Sequence, residues 1–320
     1  MKPNIKRQIA DALQKANRIA ISSHIRPDAD SIGSGLALYH ILSQLGKDVH
    51  YYNTDRAPFP LTELPGFHVI EYMQIYPQPF DVIVLVEGGT EERTGMNRIN
   101  EYFTINIDHH ATGCHSCNLN WVDPDACAAG ELVYDLAKYL NIKWTRDIGF
   151  NIYAAISSDT GSFKYSNASA KSLRIAADLV KRCHFTPVEV SDILFYSNHL
   201  EKVHMLQRVL STLELHLDNR IAMIFFKNEF LNRLSLKDIE TEDVISIARS
   251  IRGVDVTLFF KEIGENYYRV SIRSRGEISS QEVAKLFNGG GHAHAAGFFF
   301  RGDLDNARNE IVAAVRNQLK

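Results

Sequence analysis

Residues 104–113 read TINIDHHATG. Thr104-Ile105-Asn106-Ile107 is a run of β-formers, and it stops at Asp108-His109-His110. Three consecutive ionisable side chains at the end of a buried strand are costly unless something binds them. Parallel α/β sheets build their sites in this way, in the loops that leave the carboxyl ends of the strands.

The flanking sequence supports that fold class. Phe80–Val86 (FDVIVLV) is almost wholly apolar, as a central parallel strand covered on both faces must be. Arg18–Ser23 (RIAISS) reads as a buried strand, and Asp48–Tyr52 as a short one. Helical spacing covers 4–16, Ser31–Leu45, 128–140, 147–157, 169–182 and 187–195. Strands alternating with helices predict an α/β domain, with a mostly parallel sheet flanked by helices. After residue 200 the pattern changes. A helix over Glu201–Leu210 precedes strand pairs 212–217 with 220–226 and 254–260 with 267–273. Helical stretches at 241–251 and 279–287, a strand Gly297–Arg301 and a helix near 304–319 complete a smaller α+β domain. We assign 1–195 to the first domain, 196–211 to a connector helix and 212–320 to the second.

The chain has 320 residues, 45% of them hydrophobic, enough for about two cores. A net charge of −3 offers no general field for long nucleic acid, which needs an extended basic track. No apolar run reaches the ~18–20 residues of a membrane span. The N-terminal segment has no continuous apolar core of a signal peptide. Cys114, Cys117, Cys127 and Cys183 are therefore expected as reduced thiols in a cytoplasmic protein. Cys127 and Cys183 read as small core residues, and Trp121 and Trp144 as packing residues. The Cys114-to-Cys117 pair finds no second pair to complete a zinc site.

Other strand ends carry similar side chains. His24-Ile25-Arg26-Pro27-Asp28-Ala29-Asp30 follows the first strand directly. In an extended segment Asp28 and Asp30 point to the same side, and Asp30 can cap the helix starting at Ser31. Glu87 follows the apolar strand and precedes Gly88-Gly89, and Asp159 lies in SSDTG after a helical segment. Mixed imidazole and carboxylate sets suit Mn²⁺, Fe²⁺, Zn²⁺ or Co²⁺ better than Ca²⁺. A binuclear centre needs about six or seven ligands with a bridging carboxylate. His24, Asp28, Asp30, Glu87, His109 and Asp159 supply such a set. In the second domain, Asn288-Gly289-Gly290-Gly291-His292 is rich in backbone N–H groups able to turn towards an anion.

These motifs resemble the DHH phosphoesterase superfamily, in particular its NrnA-type branch of nanoRNases that also act as 3′-phosphoadenosine 5′-phosphate (pAp) phosphatases. HIRPDADSIGS is similar to the first motif, IDHH to the name-giving third and SSDTGSFKYSN to the fourth. NGGGH and the strand-borne SIRSRG resemble the DHH-associated C-terminal domain. The resemblance implies two Mn²⁺ ions per chain in a cleft between the domains. His24 and Asp28 would hold one, Asp30, His109 and Asp159 the other, and Glu87 would bridge them. Asp108 would orient its neighbours, and His110 would face the scissile phosphate. Arg273, Gly289, Gly290, Gly291 and His292 would bind substrate, with Arg93 where the family often carries an arginine. The family usually has Asp at the position of Glu87.

The implied activity is hydrolysis of short oligoribonucleotides, such as pApA, to mononucleotides and of pAp to AMP, by a protein expected to form a homodimer. Two alternatives remain open: a cyclic-dinucleotide phosphodiesterase, and a nucleotide-binding protein with a degenerate metal site.

Overall fold

The computed structural model describes residues 4–110, 116–231 and 242–318. Cys114, Thr241 at the start of the 241–251 stretch and Leu319 at the end of the last helix lie outside these. The chain divides into two compact units, Met1–Ser197 and Asn198–Lys320.

The first unit contains strands β1 (Arg18–Ser23), β2 (Asp48–Asn53), β3 (Ile70–Tyr72), β4 (Val82–Val86), β5 (Thr104–Asp108) and β6 (Leu119–Val122). Its helices are α1 (Ile5–Lys15), α2 (Ala29–Gln44), α3 (Glu91–Thr94), α4 (Ala129–Tyr139), α5 (Arg146–Asp159), α6 (Ala170–Cys183) and α7 (Pro187–Leu194). The six strands form one parallel sheet in the order β3-β2-β1-β4-β5-β6. Sequence patterning misses β3 and β6, which are only three and four residues long. Short strands leave too few positions for alternation to register.

The apolar run of β4 is buried on both faces, as its composition requires. Val82, Val84 and Val86 face the core made with α1, α2, α4 and α5. Ile83 and Leu85 face a second cluster built from Tyr52, Tyr76, Phe80, Met96 and Ile99. Chain order runs outward from β1 to β3, then restarts at β4 beside β1. The β1/β4 junction is therefore the topological switch point, where open α/β sheets place their sites.

Helix α2 starts two residues earlier than the sequence suggests. Asp28, rather than Asp30, is its N-cap and accepts from the Ser31 N–H, while the Ser31 hydroxyl lies 3.1 Å from the Asp28 N–H in a capping box. Asp30 thus falls within the first turn and is buried, while Asp28 stays exposed. Helices α2 and α5 pack closely because position 33 has no side chain. A Cβ on Gly33 would lie 2.7 Å from the Asn151 carbonyl oxygen.

The second unit contains β7 (Glu214–His216), β8 (Ile221–Phe226), β9 (Val256–Gly264), β10 (Tyr267–Ser274), β11 (Gly290–His292) and β12 (Ala295–Arg301). It adds α8 (Leu200–Leu210), α9 (Asn228–Leu231), α10 (Glu242–Arg249), α11 (Ser280–Leu286) and α12 (Leu304–Arg316). The sheet order is β11-β12-β10-β9-β8-β7, with β8 and β9 parallel and the other pairs antiparallel. One face packs under α11 and α12 through Leu258, Val270, Ile272, Phe298, Ile311 and Val315. On the other face, Met205 and Val209 of α8 and Val244 and Ala248 of α10 cover Ala222, Ile224 and Phe259. The helix read as a connector is therefore part of the second unit's core. Among the described residues no helix is long and apolar enough to cross a membrane.

Gly33→Val places two methyl groups against the α5 backbone. It should destabilise the protein by about 1–3 kcal/mol, read as a lower urea midpoint with an unchanged slope. An unchanged midpoint would show that α2 and α5 tolerate separation.

Candidate metal centre

Each predicted ligand sits where an element ends or begins. His24 follows β1, Asp28 and Asp30 open α2, and Glu87 follows β4. His109 and His110 follow β5, and Asp159 is the last residue of α5. Because β1, β4 and β5 are adjacent and parallel, their carboxyl ends bring His24, Glu87 and His109 together. Asp159, expected after a helix, is still within it.

Glu87 lies at the middle of the set. It is 1% exposed and adopts a left-handed backbone conformation, φ +56°, unusual for a side chain of its size. Its N–H donates to the Ile107 carbonyl, extending the sheet register by one residue. Its Oε2 is 3.6 Å from His24 Nε2, and its Oε1 is 3.0 Å from His109 Nε2. His24 Nε2 is also 3.6 Å from Asp28 Oδ2. His109 Nε2 is 3.6 Å from Asp30 Oδ2 and 3.3 Å from Asp159 Oδ2. Two three-residue sets result, His24/Asp28/Glu87 and Asp30/His109/Asp159, the ligand atoms of each lying within 4.8 Å of one another. A third set, Glu87/His109/His110, meets the same limit.

Supporting contacts fix these side chains. His24 Nδ1 lies 2.8 Å from the Ile25 carbonyl. A proton there leaves Nε2 as the lone-pair nitrogen facing Asp28 and Glu87, the arrangement common for a metal-binding histidine. Asp30 is fully buried and accepts from the Ala129 N–H at 2.6 Å, the Gly130 N–H at 3.0 Å and the Ser34 hydroxyl at 2.8 Å. Those first amides of α4 were not legible in the sequence. The nearest signal is the small-residue run Ala128-Ala129-Gly130, which lets α4 approach. His110 Nδ1 bonds Asp108 Oδ1 at 2.9 Å, and the same oxygen accepts from the His110 backbone N–H. The ring of His110 is half-exposed, and its other nitrogen is turned away from that bond.

The electrostatics are those of an anionic cluster. Burial pulls His24 down, but the carboxylates of Asp28 and Glu87 outweigh it and hold the imidazole up to about 10. Burial likewise opposes His109, yet Glu87, Asp30 and Asp159 hold it up to about 10. Burial, with the charge of Glu87 added, pushes Asp159 up to about 7. Asp30 is driven upward by burial and by Glu87 and Asp159. Burial opposes ionisation of Glu87, but both imidazoles bring its carboxyl below the usual range.

These residues fit a divalent metal. Glu87 Oε2 and His109 Nε2 are buried atoms with no hydrogen-bond partner among the described residues. Buried polar atoms are ordinarily bonded, and both atoms could serve a cation as ligands, the imidazole nitrogen once its proton has left. A bound cation also offsets the crowded carboxylate charge.

Beside the set lies a cavity of about 550 Å³, lined in part by His24, Arg26, Asp28, Thr90, Arg93 and His110. Arg93 Nε donates to the Glu87 carbonyl at 2.5 Å, so this arginine also braces the turn that carries Glu87. Arg26 was not singled out in the sequence. Its left-handed backbone, φ +53°, is the only local cue and is invisible there. Glu91 accepts from the Ile99 N–H. Cys127 and Cys183 are buried, and Trp121 and Trp144 pack against the first core.

In the second unit Gly290–His292 form a short strand against β12 rather than an open loop. Gly289 and Gly291 are required by that pairing. A Cβ on Gly289 would lie 2.4 Å from the Gly297 carbonyl oxygen, and Gly291 has φ +145°. His292 is exposed, and Arg273 is half-buried on β10.

Fold and site together define an α/β protein whose imidazole and carboxylate side chains are set to hold divalent metal at the switch point of a parallel sheet. The chain belongs to the DHH phosphoesterase family. Residues 18–156 match the DHH family N-terminal domain, and residues 231–320 match the DHHA1 domain. A protein of Thermus thermophilus named bifunctional oligoribonuclease and PAP phosphatase NrnA is 32% identical, covering 98% of this chain and 94% of its own. A Mycoplasma pneumoniae protein of the same name is 30% identical, covering 94% of this chain and 93% of its own. The crystal structure of an exopolyphosphatase-related protein from Bacteroides fragilis shares the fold, with TM-score 0.88 and 24% identity over 98% of this chain and 96% of its own.

With His24 and His109 protonated in the metal-free cluster, a cation must displace protons to bind at about pH 7. Metal uptake by stripped protein should release protons, and affinity should strengthen as pH rises from about 6 to about 8. Calorimetry in two buffers of different ionisation enthalpy measures the release. Heats independent of buffer would contradict it.

Proposed function

We propose that this chain is a Mn²⁺-dependent phosphoesterase that hydrolyses short oligoribonucleotides to mononucleotides and pAp to AMP. The observation that carries the reading is Glu87, whose two carboxylate oxygens face two separate imidazole sets. Family membership and the names of the relatives support the substrate class.

In this reading His24 and Asp28 hold one ion, Asp30, His109 and Asp159 hold the other, and Glu87 is shared. Two bound divalent ions would lower the pKa of water and neutralise charge on a phosphoryl group. Asp108 keeps the His110 ring oriented through Nδ1, so that the other ring nitrogen is presented to the phosphate. Arg26 and Arg93 give the adjoining cavity the positive charge that a phosphate needs. Arg273 and the Gly289–His292 segment would recognise the rest of the nucleotide, Arg273 as a bidentate phosphate clamp. Glu87 stands where the family usually has Asp, on the turn that Arg93 braces.

Metal-stripped protein is expected to release AMP from 5′-pApA only after Mn²⁺ is added, with pAp and cyclic di-AMP run alongside. Turnover of cyclic di-AMP alone would favour the cyclic-dinucleotide alternative. No turnover with no bound metal would favour a binding protein. Two variants separate the roles of the paired histidines. His109→Ala should lose one metal and most activity, whereas His110→Ala should lose activity and keep both metals. Equal metal loss in the two would refute the division.

A further inference from the structure

Among the described residues, the second unit's sheet is covered on one face only in part. Helices α8 and α10 close over β8 and the start of β9 through Phe259. Beyond that cover, three strands present a different surface. Strand register places the side chains of Lys261, Arg269 and Phe299 in one cross-strand row, because Arg269 pairs with both Lys261 and Phe299. The next row outward pairs Tyr267 with Arg301. Inward, Ser271 pairs with Gly297, and then Arg273 pairs with Ala295, which pairs with His292. Cross-strand partners share a face, so all these side chains stand on the same side as Arg273 and His292.

The composition of that face is specific. Phe299 is 58% exposed, a large fraction for a phenylalanine on a strand. Its ring stacks on Tyr267, with centroids 5.9 Å apart and planes at 28°. Arg301 lies over the Tyr267 ring at 5.2 Å. Arg269 and Arg301 are exposed. On this face Lys261 of β9, positions 267–273 of β10 and positions 295–301 of β12, taken two apart, hold no carboxylate. The Ser271–Gly297 row lies between the Arg273 row and the aromatic row, with Ser271 itself buried. A rise of about 3.3 Å per residue puts these rows about 13 Å apart. Exposed aromatic rings interleaved with cations, facing away from the core, match single-stranded nucleic acid: bases stack on the rings and phosphates meet the cations.

We propose that this face carries the continuing part of a single-stranded oligoribonucleotide, with a base stacked on Phe299 and a backbone phosphate at Arg269. The proposal rests on the functional reading above and extends it to substrate length. Substrates longer than a dinucleotide would gain contacts that a dinucleotide or pAp does not reach.

The test compares 5′-phosphorylated adenylate dinucleotide and pentanucleotide on wild type, Phe299→Ala, Phe299→Leu and Arg269→Gln. Both residues are exposed, so the variants should fold. Phe299→Leu keeps an apolar side chain but removes the ring. The ratio of kcat/KM for pentanucleotide to that for dinucleotide should fall about tenfold in both Phe299 variants, within the range of one base–aromatic stack. Anisotropy of a 3′-labelled pentanucleotide in EDTA should show a matching rise in Kd. Arg269→Gln should reduce the slope of log affinity against log salt by about 0.7, one phosphate contact on a single strand. An unmoved ratio and an unmoved Kd would overturn the proposal. If wild type hydrolyses neither length, the functional reading fails, and the binding arm still decides whether RNA occupies this face.

Discussion

The candidate metal centre of the first unit is organised around one buried carboxylate. Glu87 stands at the end of the central strand, sealed from solvent, in a backbone conformation that most side chains avoid. Its oxygens lie against His24 on one side and His109 on the other. Nothing in an apolar core rewards that placement, because an ionised group in low dielectric is costly unless it is paired. The sheet topology, the glycines after β4 and the Arg93 contact to the Glu87 carbonyl all act to keep the carboxylate there.

The remaining acids reach Glu87 because helices approach more closely than side chains normally allow. Gly33 lets α2 meet α5, and Gly130 brings α4 to within contact of Ala155 on α5. Asp30 on α2 is then held by the first amides of α4, and Asp159 at the end of α5 arrives beside His109. Those amides offset part of the cost of burying Asp30, whose carboxyl is still driven upward by burial and its acidic neighbours. The protein has concentrated negative charge where three helices and three strands converge. Metal affinity and fold stability are therefore linked in this chain: the repulsion that burdens the metal-free fold is what a cation relieves.

Much of this was legible in the sequence because parallel strands end in chemistry. The apolar run before Glu87 and the β-formers before Asp108 located two strand ends, and β1 was found with its bounds unchanged. Helix phasing was less legible. Asp28 and Asp30, read as neighbours on an extended segment, separate because α2 begins at Ala29 and turns Asp30 into the fold. Backbone amides that orient Asp30 come from a helix about a hundred residues away, which no local pattern reveals. The glycine run at 289–291 signalled an anion loop, yet pairing with β12 uses those glycines for close backbone approach. The basic and aromatic sheet face was hidden for another reason. Its members lie on separate strands, and only antiparallel register brings Arg269 beside Phe299.

The central claim is that Glu87 is shared between two metal ions. Crystals of the protein soaked in Mn²⁺ and measured at the manganese absorption edge test it directly. The account predicts two anomalous peaks per chain, one beside His24 and Asp28 and one beside Asp30, His109 and Asp159, each in contact with a different oxygen of Glu87. A single peak, or two peaks of which only one touches Glu87, would contradict it.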